Sequence, residues 1–159
     1  MQASSSRRWL LAMGGLCIGA VGVALVSQHV FDMQPCPWCI LQRLLFLVVA
    51  LLCIVAALAG APALRKTLAA GVLVFSAFGA TAAVYQHVVA AKLNSCNLTF
   101  ADKVLNTLGV EGLAPWLFQV TATCADAAVS VLGVPYEYWS LALFVLLAAA
   151  SLRVLAAHR

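Results

Sequence analysis

The sequence predicts an all-α fold: an integral membrane four-helix bundle with a short interfacial helix in its second outer loop. Of the 159 residues, 65% are hydrophobic and 9% are charged, whereas soluble domains carry roughly 25% charged residues. The mean hydropathy is correspondingly high, at +1.05. Four apolar stretches also approach the ~20 residues that a helix needs to cross a bilayer. We therefore expect a single membrane domain over residues 1–159.

The four predicted spans cover residues 9–27, 40–61, 67–88 and 139–157. The first span follows two arginines, as the apolar segment of a secretory signal would. Its apolar run is long for that role, and no convincing small-x-small cleavage site precedes the first cysteine motif. We therefore expect the first stretch to remain as a membrane helix.

The distribution of charge predicts the orientation of the spans. Six of the nine basic residues fall on one side of the four-span arrangement, and all five acidic residues fall on the other. The basic residues on that side are Arg7, Arg8, Arg65, Lys66, Arg153 and Arg159. Because cytoplasmic loops carry the excess of Lys and Arg, we expect both termini in the cytoplasm and the loops 28–39 and 89–138 outside. Orientation thus explains the net charge of +4 without a nucleic-acid partner.

The six cysteines fall into two classes. Cys17 and Cys53 lie near the middle of the first and second spans and are expected to be small packing residues. The others lie in or beside the outer loops, where disulfides persist: Cys36, Cys39, Cys96 and Cys124. Four cysteines can pair in three ways. Proximity favours Cys36–Cys39 and Cys96–Cys124.

The Cys36-Pro37-Trp38-Cys39 motif begins the second span and predicts a redox centre. A bridge across two residues closes too small a loop to constrain much unfolded chain, so a purely structural role explains it poorly. Cys39 would lie in the first helical turn, where unpaired N–H groups and the helix dipole favour a thiolate. Arg43 follows four residues later on the same helix face. A permanent cation therefore faces a redox-capable sulfur.

Two disulfides that can approach each other predict thiol–disulfide exchange with an external dithiol. The sequence has no haem, flavin or iron–sulfur motif to accept the electrons, so we expect a lipid-soluble quinone as acceptor. Arg43 could donate a hydrogen bond to a quinone oxygen and offset its developing charge. His87 ends the third span at the same outer surface, either as part of this site or as an interfacial cap. The apolar segment 113–120 is too short to span, and it would tether the second loop to the membrane surface.

The Cys-x-x-Cys-x-x-x-Arg motif at residues 36–43, the four spans and two more cysteines in the second outer loop closely resemble the DsbB family. This resemblance covers nearly the whole chain. It implies a bacterial inner-membrane oxidase that passes electrons from a periplasmic DsbA protein to ubiquinone or menaquinone. Cys96 would join DsbA in a mixed disulfide, with Cys124 as its bridge partner. Cys39, Arg43 and His87 would lie near the quinone, with Cys36 as the exchanging partner of Cys39.

Two departures from the family pattern affect these expectations. Asn97-Leu98-Thr99 follow Cys96 where relatives commonly have Gly-Pro-Gly, which bears on partner preference. Val134-Pro135 stands where a Met-Pro is often found, which bears on the wall of the quinone pocket.

Four alternatives remain at this stage. A protein like vitamin K epoxide reductase also couples loop cysteines to a quinone, but its Cys-x-x-Cys usually lies in a late span. A tetraspan scaffold would use both bridges structurally. A metal-handling membrane protein would bind metal on purification. A zinc site would have to use Cys36, Cys39, His29 and His87 as ligands. Beyond Cys36 and Cys39, however, no second pair of ligands has the spacing of a zinc site.

Overall fold

The computed structural model describes residues 2–92 and 99–156, and it contains four long helices with short elements between the third and the fourth. The long helices are α1 (Gln2–Val30), α2 (Pro37–Leu58), α3 (Pro62–Val88) and α7 (Tyr136–Ala156). The short elements are α4 (Phe100–Leu108), α5 (Val110–Leu113), α6 (Pro115–Phe118), β1 (Ser130–Val131) and β2 (Val134–Pro135), with a single 3₁₀ turn at Ala90–Lys92. All four long helices are long and apolar enough to cross a membrane. The predicted four-helix membrane bundle is therefore confirmed.

Helix α2 forms the centre of the bundle. It packs against α1 on one side and α3 on the other, and most of its inward residues are fully buried. The outward faces of the long helices carry exposed apolar side chains such as Val23, Leu51, Val74 and Leu146. An apolar surface of this extent is typical of contact with lipid.

Local sequence fixes both ends of α2. Pro37 occupies the first turn, where its missing N–H costs no helical hydrogen bond, and Cys36 is the N-cap residue. At the other end the guanidinium of Arg65 donates hydrogen bonds to the carbonyls of Ala56 (3.3 Å) and Ala59 (2.8 Å). A cation there satisfies carbonyls that have no partner within the helix and complements the helix dipole. Helix α3 follows at once, with Pro62 in its first turn.

The second outer loop packs onto the first turns of α2 and is not free in solvent. Leu105, Val110 and Phe118 form a small buried cluster with Ile40 of α2. The backbone N–H groups of Thr121 and Ala122 both donate to the Pro35 carbonyl, at 3.1 and 3.2 Å. These contacts place the segment after α6 directly above the start of α2.

The expected interfacial segment 113–120 falls at the end of α5 and in α6. Its Leu113 and Trp116 are exposed, while Phe118 is buried against α2. One apolar face therefore holds the loop on the bundle, and another is available to the membrane surface.

A close approach between α3 and α7 depends on Gly79. A Cβ atom there would lie 2.4 Å from the ring of Phe144, which is fully buried and stacked on Phe46 with ring centroids 4.0 Å apart. Because neither ring has free space, a methyl group at this position forces the helices apart.

We predict that Gly79→Ala lowers the free energy of unfolding in detergent by about 1–3 kcal/mol, the usual cost of overpacking. This cost opposes the roughly 1 kcal/mol that alanine contributes over glycine inside a helix. Gly22→Ala is the matched control, because a Cβ at Gly22 meets no atom within 4 Å. Equal stability of the two variants would refute the packing role of Gly79.

Candidate active site at the head of helix α2

Cys36 and Cys39 lie side by side at the start of α2, as their spacing predicts. Their Sγ atoms are 2.9 Å apart, and the Cys36 sulfur also accepts the backbone N–H of Cys39 at 3.4 Å. Both are free thiols in this structure. Cys36 is 0% exposed, whereas Cys39 is partly accessible and faces a cavity.

Cys124 is a third sulfur at this site. It lies near the Cys36 thiol, because the loop bound to the Pro35 carbonyl brings it there. Cys124 is only 8% exposed. Burial raises the pKa of the Cys36 thiol well above its ordinary value, and the neighbouring Cys124 and Cys39 thiols raise it further. Reduced Cys36 is therefore a neutral thiol between two other sulfurs.

Cys96 lies outside the described residues, and so does the expected bridge between Cys96 and Cys124. That pairing stays a prediction.

Arg43 is buried one turn below Cys39 and links three parts of the chain. Its Nη1 donates to the side-chain oxygen of Gln28 in α1 at 2.9 Å and to the backbone carbonyl of Leu117 in α6 at 2.6 Å. Within the described residues its buried Nε has no hydrogen-bond partner. Arg43 therefore contributes both a structural anchor and one unsatisfied donor.

A cavity of about 790 Å³ opens beside Cys39 and Arg43. Helices α1, α2, α3 and α7 form its walls, together with the segments before α2 and around β1 and β2. Most of its lining is apolar, and its polar lining residues include Gln42, Arg43, Gln86, Tyr136 and Glu137. An apolar pocket with a few convergent polar groups is typical of small-molecule sites. A flat quinone ring would suit this lining, because the walls are mostly apolar and Arg43 lies among them.

The comparisons with known proteins agree with this site. Residues 6–154 match the family model for Disulfide bond formation protein DsbB. The chain is 36% identical over 145 residues to Disulfide bond formation protein B 1 of Pseudomonas syringae pv. syringae, which covers 89% of this chain and 85% of that protein. It is 35% identical over 151 residues to Disulfide bond formation protein B of Ralstonia nicotianae, at 93% and 92% coverage.

The chain belongs to the DsbB family. This membership confirms the family resemblance and supports a membrane oxidoreductase that forms disulfide bonds. The adjacent thiols at the head of α2 in this DsbB family protein are suited to that chemistry.

His87 lies close to the cavity without being part of its lining. Its Nδ1 is 2.6 Å from Oε1 of Glu137, and its ring packs on Tyr138 at a centroid distance of 4.6 Å. Glu137 is 5% exposed and lines the cavity, whereas the His87 side chain is 35% exposed. The described geometry thus places Glu137 between His87 and the pocket. Direct contact of His87 with a quinone stays a prediction.

The sequence reasoning missed Gln28, Gln42, Gln86 and Glu137. Gln42 and Gln86 lie inside apolar helices, where an uncharged polar residue is an available but weak signal of function. The hydrogen bond between Gln42 and Gln86 could not be predicted from one sequence, because the two residues belong to different helices.

The proposed zinc ligands do not assemble in the described part of the chain. Within residues 2–92 and 99–156 no group of three or more His, Cys, Asp or Glu side chains is arranged to hold a metal ion. The Nε2 atom of His29 instead lies 3.3 Å from the Trp116 carbonyl oxygen.

The sulfur geometry predicts which cysteines join when an alternative bridge is forced. In a Cys39→Ser/Cys96→Ser variant, mild oxidation should link Cys36 to Cys124 readily, because Cys124 lies near Cys36. Peptide mapping without reduction measures the product. The matched variant Cys36→Ser/Cys96→Ser leaves Cys39 and Cys124, which should link at least about tenfold more slowly because no contact joins them directly. Faster linkage of Cys39 to Cys124 would contradict the central position of Cys36.

Proposed function

We propose that this DsbB family protein reoxidises a periplasmic DsbA-type dithiol protein and passes the two electrons to a membrane quinone. The observation that carries the proposal is that Cys124 lies near Cys36, and that Cys36 contacts Cys39 on the wall of an apolar cavity beside Arg43. The protein would lie in the bacterial inner membrane, with its cysteine-bearing loops facing the periplasm.

The first step is exchange with the partner. A thiolate of the DsbA-type protein attacks Cys96 of a Cys96–Cys124 bridge, forms a mixed disulfide with Cys96 and releases Cys124 as a thiolate. The second thiol of the partner then resolves the mixed disulfide, so that the partner leaves oxidised and Cys96 leaves reduced. Two electrons and two protons have entered the loop pair.

The second step passes the two electrons inward. The Cys124 thiolate attacks Cys36 of a Cys36–Cys39 bridge, which forms a Cys36–Cys124 bond and releases Cys39 as a thiolate. The reduced Cys96 then attacks Cys124, which restores the Cys96–Cys124 bridge and leaves Cys36 and Cys39 as a dithiol. The proximity of Cys124 to Cys36 supports this direct transfer. Since Cys36 is buried, the partner protein has little direct access to its thiol.

The final acceptor would be a quinone, ubiquinone or menaquinone, which supplies the two-electron redox chemistry when it is bound. Cys39, Arg43 and the apolar walls of the cavity would hold it. The Arg43 guanidinium would donate a hydrogen bond to a ring oxygen, and its charge would favour the reduced ring.

Glu137 and His87 form a hydrogen-bonded pair that reaches from the cavity wall to a half-exposed ring. In this proposal His87 assists the reaction through Glu137.

A direct assay tests the electron acceptor. The purified protein, stripped of quinone, is mixed with a reduced DsbA-type protein and ubiquinone, and quinone absorbance is followed. We expect Arg43→Ala to raise the apparent quinone KM about tenfold or more, because a charge-assisted hydrogen bond is lost, while exchange with the DsbA-type protein is largely retained.

Two controls accompany this assay. Cys39→Ser should abolish quinone loss, and Arg65→Ala removes a guanidinium whose partners, Ala56 and Ala59, lie at the far end of α2. An unchanged quinone KM in Arg43→Ala would remove the proposed role of Arg43. A flat quinone signal in the unmodified protein, with Cys36–Cys39 oxidised, would favour a structural-disulfide scaffold instead.

Acid trapping distinguishes the two loop cysteines. The Cys124→Ser variant, mixed with the oxidised DsbA-type protein, should accumulate a covalent adduct, because the Cys96 thiolate opens the disulfide of the partner and no Cys124 thiol is present to displace that partner. The Cys96→Ser variant should accumulate none. Non-reducing gel electrophoresis after acid quenching measures both, and the reverse pattern would exchange the two roles.

A further inference from the structure

Two buried glutamines connect α2 to α3 and end at the Cys39 sulfur. Nε2 of Gln42 donates to Oε1 of Gln86 at 2.6 Å, and Nε2 of Gln86 donates to Sγ of Cys39 at 3.3 Å. Gln42 and Gln86 are 4% and 3% exposed, and all three residues line the cavity. The proposed relay described above uses neither amide.

The order of donors and acceptors in this chain decides what Cys39 receives. A glutamine amide has one acceptor oxygen and one donor NH₂ group. Because Gln42 donates to the oxygen of Gln86, the NH₂ group of Gln86 is the part that faces Cys39. A donor stabilises a thiolate more than a thiol, since hydrogen bonds to charged groups are the stronger ones.

Arg43 is not the residue that donates a hydrogen bond to the Cys39 sulfur in the structure. Its Nη1 is directed to Gln28 and Leu117, and within residues 2–92 and 99–156 it makes no hydrogen bond to Cys39. The side chains bonded to the Cys39 sulfur are Gln86 and the Cys36 thiol. Once Cys36 is bonded to Cys124 it has no S–H to donate, so Gln86 remains as the side-chain donor.

We propose that Gln86 is a catalytic residue that stabilises the Cys39 thiolate released when Cys124 attacks the Cys36–Cys39 bridge, and that Gln42 is the positioning residue that orients it. The proposal rests on the proposed function for the order of exchange. In that step one thiolate enters, one S–S bond forms as another breaks, and one thiolate leaves, so charge and electrons balance. A better stabilised leaving thiolate departs faster.

The test measures Cys39 in the absence of quinone. In a reduced, quinone-free Cys36→Ala background, the rate of Cys39 modification by iodoacetamide at neutral pH is followed by peptide mass spectrometry. Gln86→Leu should slow the reaction about tenfold, as expected for one lost hydrogen bond to a charged group. Gln86→Met, which is closer in shape and also lacks the donor, should slow the reaction to the same extent. It replaces the leucine variant if that variant folds poorly. Gln86→Glu should be slower still, because a carboxylate repels the thiolate.

Gln42→Leu should slow the reaction by a smaller factor, about threefold, because Gln86 keeps its donor but loses the contact that orients it. Ser76→Ala is the control on the same helix, since it removes a buried hydroxyl that lies ten residues from Gln86 and outside the cavity lining. It should react at the parent rate.

The pH dependence separates charge stabilisation from packing. The rates of the parent and the Gln86→Leu protein should converge at alkaline pH, where the thiol is ionised in both. A parent-like rate for Gln86→Leu at neutral pH, or an equal slowing at every pH, would overturn the proposal. Because this readout needs neither quinone nor a partner protein, its failure is distinct from failure of the proposed function.

Discussion

The attachment of the second outer loop to the head of α2 is the constraint on which the site depends. The loop is held by the Pro35 carbonyl, which accepts from Thr121 and Ala122, and by the Leu117 carbonyl, which accepts from Arg43. A buried guanidinium needs acceptors, and loop backbone near a membrane needs donors, so each satisfies the other. Together with the apolar cluster around Ile40, this attachment keeps the loop that carries Cys124 near Cys36.

The position of α2 explains why the chemistry gathers at one of its ends. Its middle and lower parts are surrounded by helices and carry apolar residues, including Cys53, that only pack. Its first turns meet α1, α3, α7 and the outer loop around a cavity, so side chains from several elements converge there. The sulfur Cys39, the cation Arg43 and the amide Gln42 come from two consecutive turns of this one helix.

The sequence alone predicts what is local to a helix. The spacing of Cys39 and Arg43 requires only the α-helical period, and the structure has both on the cavity wall. The Gln42–Gln86 contact depends on the register between α2 and α3, which no pattern within either helix specifies. The same limit applies to His87: its place at the end of α3 is local, but its pairing with Glu137 depends on how α3 packs on α7. The approach of Cys124 to Cys36 depends on the loop contacts and so also required the folded structure.

The burial of the central sulfur gives the proposed relay its direction. Cys36 is 0% exposed and Cys124 is 8% exposed, so a folded partner protein has little access to either. In the proposed relay Cys36 would therefore exchange with its neighbours Cys39 and Cys124 and not with thiols in solution. Its raised pKa has the same effect, because a neutral thiol is a poor nucleophile toward stray disulfides. An exposed redox pair at the cavity would let external thiols reduce it directly. In the proposed relay, enclosing Cys36 would make electrons enter through the outer loop and leave through Cys39.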